Sequence, residues 1–308
     1  MSTIENRKKL AQQCLRGIAI GDAFGESFFG ETKMVVEHLA QRKIPSTTWE
    51  FTDDTIMAIA IYQELIEKQT IEQDALAQRW AHYHNIDPNR GYGATARRIL
   101  RGIAEGKCWA ELSKEVFDGM GSMGNGAAMR VGPIGAYYYD NIEQVKALAS
   151  TSAVITHAHK EAKVGTMAIA IATALATQIR LEKASFSPTT FITTIVNQLP
   201  DSDTTSKINK ALYIGAKAHP ETLKTVLGNG HKMTAQDTVP FVIWCAAHHL
   251  NNFEEALWKA VAVLGDRDTI AAMVGGIVAL SSPSSTIPSV WKKEVEAVEE
   301  SVFMKVKF

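Results

Sequence analysis

The chain has 308 residues, of which 46% are apolar and 21% are charged, and these ordinary proportions exclude a disordered chain. Its 32 lysines and arginines nearly balance its 33 aspartates and glutamates, so the formal net charge is −1. A chain this close to neutral lacks the overall positive field that collects nucleic acids or acidic membranes. A charged site can still exist locally.

The cysteines and the first residues of the sequence indicate the cellular compartment to expect. Cys14, Cys108 and Cys245 lie far apart, which excludes a disulfide framework and a Cys-x-x-Cys zinc module and fits a reducing environment. The opening segment MSTIENRKKLAQQ lacks the apolar core of a signal peptide, so we expect a cytoplasmic protein. The least charged stretch, residues 164–179, is short for a membrane span and is predicted to be a core helix.

Apolar residues recur at helical spacing along the whole chain. In the first segment Leu10, Cys14 and Ile18 share one helical face, and Gly21 is predicted to end that helix. The predicted helices are 5–20, 52–68, 94–105, 131–139, 142–152, 160–181, 208–218, 239–250, 253–264 and 269–280.

Other structural signals are weak. Residues 34–36 and 302–306 are candidates for short strands, and residues 281–288 are predicted to be a loop. The Asn251-Asn252 pair is a plausible cap for the helix that follows it. We therefore expect one compact all-α domain over residues 1–308, packed closely through alanine and glycine.

Two acidic clusters stand directly before apolar helices, Thr52-Asp53-Asp54-Thr55 and Asp266-Arg267-Asp268-Thr269. Helix capping explains one such residue at each start, because its side chain accepts a backbone N–H bond. Each cluster, however, offers two carboxylates and a hydroxyl, and paired hard oxygens are what Mg²⁺ or Mn²⁺ prefers. If the two helix starts meet, the four aspartates are candidates to hold two cations.

Glycine-rich loops form a second set of candidates. Residues 121–130 read GSMGNGAAMR, and backbone N–H groups in such a loop bind phosphate without a basic patch. Gly91-Tyr92-Gly93 and Gly228-Asn229-Gly230 are similar, although ordinary helix punctuation explains them as well. His157 is either a ligand contact or a buried structural histidine. The sequence contains no Walker P-loop, HExxH or GxSxG motif.

Taken in order, these motifs resemble the ADP-ribosylglycohydrolase family, which includes dinitrogenase reductase-activating glycohydrolases and J1 crystallins. The TDDT motif paired with a late DxDT motif is specific, and its combination with GNGAAMR is highly so. The resemblance covers roughly residues 10–280. It is carried by GDAFG at 21–25, FTDDT at 51–55, GSMGNGAAMRV at 121–131, Thr156-His157 and GDRDTIA at 265–271.

The resemblance implies an orthogonal all-α bundle with two Mg²⁺ or Mn²⁺ ions, which hydrolyses the bond between C1″ of ADP-ribose and an acceptor. The branch acting on serine-linked, polymeric and O-acetyl ADP-ribose is the most similar one. The implied metal ligands are Thr52, Asp53, Asp54, Asp266, Asp268 and Thr269. The residues implied to bind the pyrophosphate, ribose and adenine are Gly91, Tyr92, Gly93, Phe117, Gly121, Ser122, Met123, Gly124, Asn125, Gly126 and His157.

The chain departs from that branch at three positions. Met123 replaces a tyrosine that stacks on the ligand, and Arg267 replaces a small neutral residue between the late aspartates. Phe29 stands where the branch has a glutamate that contacts the scissile ribose. Glu26 and Glu31 are the nearby replacements, with Glu26 the first choice because it directly follows the GDAFG motif. The implied catalytic residues are therefore Asp53, Asp54, Glu26 and Glu31.

The expected partner is ADP-ribose or an ADP-ribosylated substrate, without direct binding to nucleic acid or membrane, and the sequence does not indicate an oligomeric state. Two other functions stay open. One is a catalytically weak ADP-ribose-binding or structural protein of the crystallin kind, and the other is a hydrolase of a different nucleotide-like glycoside.

Overall fold

The computed structural model describes residues 3–45, 49–182 and 186–306. Over these ranges the chain forms seventeen α-helices, four short 3₁₀ turns and no strand beyond two isolated bridges. The helices are α1 (Ile4–Glu26), α2 (Thr32–Gln41), α3 (Asp53–Lys68), α4 (Gln73–Ile86), α5 (Ala94–Ala104), α6 (Trp109–Lys114), α7 (Gly132–Tyr137), α8 (Ile142–Ala153), α9 (Lys160–Glu182), α10 (Pro188–Val196), α11 (Asp203–Lys210), α12 (Pro220–Leu227), α13 (Ala235–His248), α14 (Phe253–Val261), α15 (Arg267–Ser281), α16 (Trp291–Glu294) and α17 (Val302–Lys305).

The closest helix pair in the fold is α1 against α15. Gly17, Gly21 and Gly25 recur every fourth residue of α1, and therefore line one face of that helix. A Cβ atom at Gly21 would overlap the carbonyl oxygen of Ala271, and one at Gly25 would overlap the backbone of Arg267. Because only hydrogen fits there, the two backbones touch, and the end of α1 lies against the start of α15.

The long apolar helix α9 runs through the interior as predicted for residues 160–181. It is long and apolar enough to cross a membrane by length and composition, yet 78% of its most apolar window is buried inside the fold. Gly165 of α9 packs against Ala235 of α13, and Gly135 of α7 packs against the Ala170 carbonyl of α9. Small residues therefore set the close helix spacing that the composition predicted.

The strand predictions were wrong. Residues 34–36 lie within α2, where only Val35 is buried, and residues 302–305 form the short helix α17. The predicted end of the first helix was also wrong, because α1 continues through Gly21 to Glu26. Gly21 is a packing position against α15 and not a helix terminator.

The predictions for the other element boundaries were partly right and partly wrong. The predicted helix 208–218 was wrong, since α11 ends at Lys210 and a 3₁₀ turn follows. The cap at Asn252 is confirmed, because its side chain accepts a bond from the Glu255 amide. The loop predicted for residues 281–288 is confirmed from residue 282 and contains one 3₁₀ turn, while Ser281 is the last residue of α15. Seven helices were not predicted, namely α2, α4, α6, α10, α12, α16 and α17.

Candidate active site

The two acidic helix starts meet in the fold. Thr269 in the first turn of α15 points its hydroxyl at Asp54 in the first turn of α3, with 3.4 Å between Thr269 Oγ1 and Asp54 Oδ2. These two residues are 215 positions apart in the sequence. The packing of α1 on α15, together with the contacts of α1 to α3, brings the clusters together.

Helix capping accounts for only part of these clusters. Thr52 is the N-cap of α3, and its hydroxyl accepts the Asp54 amide bond at 3.3 Å. Asp266 occupies the N-cap position of α15, yet its side chain makes no capping bond. The carboxylates of Asp53 and Asp54 follow the cap and are not needed for it. One hydroxyl therefore serves the helix, and the acidic groups remain available for another role.

A fifth carboxylate, Asp22, was not among the predicted site residues. It is fully buried on α1 and accepts four bonds from Thr52 and Thr55, from both amides and both hydroxyls, at 2.6 to 3.1 Å. Asp22 thus holds the TDDT turn against α1. The position of Asp22 within the GDAFG motif was the sequence signal that could have identified it as a site residue.

We expect Asp22→Asn to destabilise the protein by about 1–3 kcal/mol, because an amide group faces backbone donors that a carboxylate accepts. The mispositioned TDDT turn should also lower hydrolysis. Glu161→Gln is the matched control, since Glu161 likewise accepts two amides and a hydroxyl at the start of α11. Urea unfolding and turnover should show both variants destabilised and only Asp22→Asn impaired in activity. Equal impairment would contradict this role.

The carboxylates raise one another's pKa values. Burial, with the charge of Asp268 as a smaller cause, raises the pKa of Asp22 to about 7 and that of Asp266 to about 8. Burial and the neighbouring carboxylates raise the pKa values of Asp53 and Asp54 well above the usual range, and burial also raises the pKa of Asp268. Three of these five acids (Asp22, Asp53 and Asp54) are buried and two (Asp266 and Asp268) are partly buried, and so close a group is stable only with protons or cations among them.

The donor chemistry fits a hard cation. Asp54 Oδ1 and Asp268 Oδ1 are buried and have no hydrogen-bond partner in the described part of the chain. Carboxylate and hydroxyl oxygens of this kind are the ligands that Mg²⁺ and Mn²⁺ take. Within residues 3–45, 49–182 and 186–306, however, no three His, Cys, Asp or Glu side chains already surround a common metal position. The site therefore supplies the right oxygens without a preformed coordination shell.

The GNG loop is joined directly to the acidic cluster. Asn125 Nδ2 donates to Asp266 Oδ2 at 2.6 Å and to Thr238 Oγ1 at 3.1 Å, while its backbone amide donates to the Met233 carbonyl. Asn125 is buried, so these bonds fix the loop relative to the start of α15. The loop at Gly230 reaches the same place, because a Cβ there would lie 2.5 Å from Asp266 Cβ.

The Gly91-Tyr92-Gly93 loop lies on Asp53. The Asp53 amide donates to the Arg90 carbonyl, and a Cβ atom at Gly91 would lie 3.0 Å from Asp53 Oδ1. Gly91 has φ +90°, a conformation that side chains disfavour, so glycine is required there on two counts. Gly93 then occupies the N-cap position of α5, and Tyr92 is buried behind the loop.

Residues 121–126 wrap around His157. A Cβ atom at Gly124 would lie 3.0 Å from His157 Nε2, and one at Gly126 would lie 3.1 Å from Cε1. Ser122 Oγ accepts the Gly124 amide bond at 3.1 Å, and Gly121 passes close to the backbone of residues 158–159. The structure therefore brings together the glycine loop and the histidine that the sequence proposed as ligand contacts.

Phe117 precedes this loop in the chain, and Met123 lies within it. Phe117 is 54% exposed and has φ +54°, in a turn where Asp118, Gly119 and Gly121 also have positive φ. Met123 is half-buried, and its sulfur accepts a bond from Gln236 at 3.3 Å. An exposed aromatic ring on a strained turn is available to a flat ligand.

The two candidate glutamates differ in position. The Glu26 side chain is exposed at the end of α1 but lies beside the cluster, where partial desolvation and the charge of Asp268 raise its pKa. Glu31 is exposed at the start of α2, and its carboxylate makes no hydrogen bond or ion pair to the described residues. Glu26 is therefore the one that the structure brings to the acidic cluster.

The two departures at Phe29 and Arg267 contact each other. The Arg267 guanidinium lies over the Phe29 ring, with 4.5 Å between its central carbon and the ring centroid. A cation over an aromatic face is stabilised by the ring quadrupole. Arg267 therefore packs on Phe29, and the two positions form one unit beside the acidic cluster.

Fold and site together define an all-α protein with a buried acidic cluster beside glycine-rich loops, and comparisons with known proteins agree. The sequence profile of the ADP-ribosylglycohydrolase family matches residues 3–305. ADP-ribosylhydrolase ARH3 of Homo sapiens is 28% identical over 94% of this chain and 89% of its own. The Bos taurus ARH3 is 30% identical over 82% of this chain and 75% of its own.

A solved structure shares the fold. An ADP-ribosylglycohydrolase-related protein complex matches 95% of this chain and 94% of its own, with a TM-score of 0.62 and 21% identity. The chain belongs to the ADP-ribosylglycohydrolase family and is a glycosidic hydrolase.

Proposed function

We propose that the protein releases ADP-ribose from a modified acceptor by cleaving the C1″ glycosidic bond, and that it requires two divalent cations, Mg²⁺ or Mn²⁺. The observation that carries this proposal is the meeting of the two acidic helix starts through Thr269 and Asp54, with buried oxygens left unpartnered. The proposed metal ligands are Thr52, Asp53, Asp54, Asp266, Asp268 and Thr269. Bound cations would supply Lewis acidity and offset the crowded negative charge.

The chain's own residues hold the substrate. In the glycine loop at 121–126 the amides of Gly121, Gly124 and Asn125 bond within the protein, so the remaining backbone N–H groups are the ones offered to the pyrophosphate, with Ser122, Asn125 and His157 beside them. The Gly91-Tyr92-Gly93 loop bounds the distal ribose, because Gly91 touches Asp53. Phe117 and Met123 border the adenine. Groups within the site then stabilise the negative charge of the substrate, so no overall positive charge is needed on this nearly neutral chain.

Carboxylate side chains carry out the proton transfer. Glu26 has a raised pKa and lies beside Asp268, so it is suited to hold a proton for the leaving acceptor. Asp53 and Asp54 are the candidates for orienting the attacking water, and Glu31 is a weaker candidate because it lies outside the cluster. The positive charge that develops on the ribose is stabilised by the surrounding carboxylates.

The acceptor is proposed from the relatives. The ARH3 sequences match nearly the whole chain, so we propose the branch that the motifs resemble, acting on serine-linked, O-acetyl or polymeric ADP-ribose. Binding to nucleic acid or membrane is not part of the proposal, and the location proposed is the cytoplasm.

A second candidate is a binding protein with weak turnover. It is favoured by one observation, the Phe29–Arg267 contact at the position where the resembled branch has a glutamate. Such a protein would bind ADP-ribose tightly and release it from no substrate.

A substrate panel separates the two. Serine-linked, arginine-linked, O-acetyl and polymeric ADP-ribose are incubated with the protein in Mg²⁺, in Mn²⁺ and after chelation. The proposal expects ADP-ribose release from at least one substrate that stops on chelation and returns when the cation is restored. Tight ADP-ribose binding without release in any arm would favour the second candidate, and release that persists after chelation would overturn the metal requirement.

A further inference from the structure

A short series of hydrogen bonds leads from a buried arginine to the His157 ring. Arg130 Nη2 donates to Thr156 Oγ1 at 2.8 Å, and Thr156 Oγ1 lies 2.7 Å from His157 Nδ1. Arg130 and Thr156 are each 1% exposed. The three side chains therefore form one buried unit behind the glycine loop.

The donor chemistry decides which ring nitrogen carries the proton. A guanidinium has only donors, so the Thr156 oxygen accepts from Arg130. The hydroxyl hydrogen of Thr156 has no other acceptor among the described residues, and leaving it unpaired in the interior would cost about 1–3 kcal/mol. It therefore points at His157 Nδ1. Nδ1 accepts, and the ring proton of a neutral imidazole is left on Nε2.

The other ring nitrogen faces the glycine loop. Positions that a Cβ would take at Gly124 and Gly126 lie 3.0 and 3.2 Å from His157 Nε2. Nε2 has no hydrogen-bond partner in the described part of the chain. The fixed tautomer thus presents one N–H donor, without charge, at the loop proposed to hold the substrate.

The arginine is held without a carboxylate. Its guanidinium lies 3.8 Å from the Trp80 ring centroid, its Nη1 lies 3.4 Å from Met57 Sδ, and it has no ion pair among the described residues. Burial lowers the pKa of Arg130 to about 9, so it stays a cation at neutral pH. Burial and that cation lower the pKa of His157 to about 3, which agrees with a neutral ring.

We propose that Thr156 and Arg130 are positioning residues that hold His157 as the neutral Nε2–H tautomer, so that it donates one hydrogen bond to a phosphate or ribose oxygen of the substrate. The identity of that ligand rests on the proposed function. The tautomer does not, because it follows from contacts within the protein.

The test compares two substitutions at one position. Thr156→Val keeps the shape and removes the hydroxyl, whereas Thr156→Ser keeps the hydroxyl and is the matched control. Nitrogen-15 NMR of the imidazole at pH 7, with His157 assigned by comparison with His157→Gln, reads the tautomer in the free protein. We expect Nε2–H in wild type and Thr156→Ser, and loss of that single tautomer in Thr156→Val.

Ligand binding is measured on the same proteins. Thr156→Val should weaken ADP-ribose binding about tenfold, the loss of roughly one hydrogen bond, while Thr156→Ser stays within about twofold of wild type. An Nδ1–H or doubly protonated ring in wild type would overturn the proposal, as would equal binding by the Val and Ser variants. If wild type shows the Nε2–H ring but does not bind ADP-ribose, the proposed function fails and the tautomer assignment stands. If Thr156→Val does not fold, the wild-type spectrum still decides the tautomer, and Thr156→Ser against Thr156→Ala decides binding.

Discussion

Asp53→Ala and Asp268→Ala should each reduce ADP-ribose release by about 10³-fold or more, because each removes a carboxylate from the meeting point of the two helix starts. The folded protein without divalent cations should become more stable, since the remaining buried carboxylates repel one another less. Activity and stability thus move in opposite directions. Turnover on the responsive substrate and thermal unfolding in chelator measure the two effects.

The matched control for these variants is Asp203→Ala. Asp203 is the first residue of α11 after a Ser202 cap, just as Asp53 is the first residue of α3 after a Thr52 cap. It has the same place at a helix N-terminus but is not part of the acidic cluster. Its loss should leave turnover unchanged and slightly lower stability, by about 0.3–1 kcal/mol. Unchanged turnover in Asp53→Ala or Asp268→Ala would refute the proposed site.

Gly21→Ala should destabilise the protein strongly. Its new methyl group would overlap the Ala271 carbonyl, and backbone on both sides leaves no flexible atom to move. Forcing α1 and α15 apart should cost about 3 kcal/mol and lower activity as well, because Asp22 is the next residue. Urea unfolding measures the cost.

Gly215→Ala is the control for this prediction. A Cβ atom at Gly215 meets nothing within 4 Å, so the same chemical change should be neutral or stabilising by up to about 1 kcal/mol. Equal unfolding free energies for the two variants would show that the α1–α15 contact is not tight.

The acidic clusters were recognisable from the sequence because a helix start needs only one cap, and each motif offers more oxygens than that. The sequence could not predict that the two clusters meet, because no local pattern determines a contact between residues 215 positions apart. Glu26 was chosen over Glu31 from position alone; the structure places it near Asp268, and its catalytic role stays a prediction.

The features that were not predicted share one cause, which is that tertiary contacts determine them. Asp22 sits inside an apolar helix face, where periodicity shows only that the residue is buried and not what it binds. Gly21 was taken as a terminator because glycine is most often found at helix ends, whereas tertiary packing decides its role here. The Phe29–Arg267 contact joins the loop between α1 and α2 to the start of α15, so each departure was visible alone and their pairing was not.

The close contact of the α1 glycines with α15 also determines which parts of the protein can assemble during synthesis. Synthesis proceeds from the N-terminus, so α1 leaves the ribosome long before residues 267–281 exist. Until then, Gly17, Gly21 and Gly25 face no partner, and Asp22, Asp53 and Asp54 have no late aspartates beside them. A nascent chain therefore holds only three of the five clustered carboxylates, and the acidic cluster is complete only when almost the whole length has been translated.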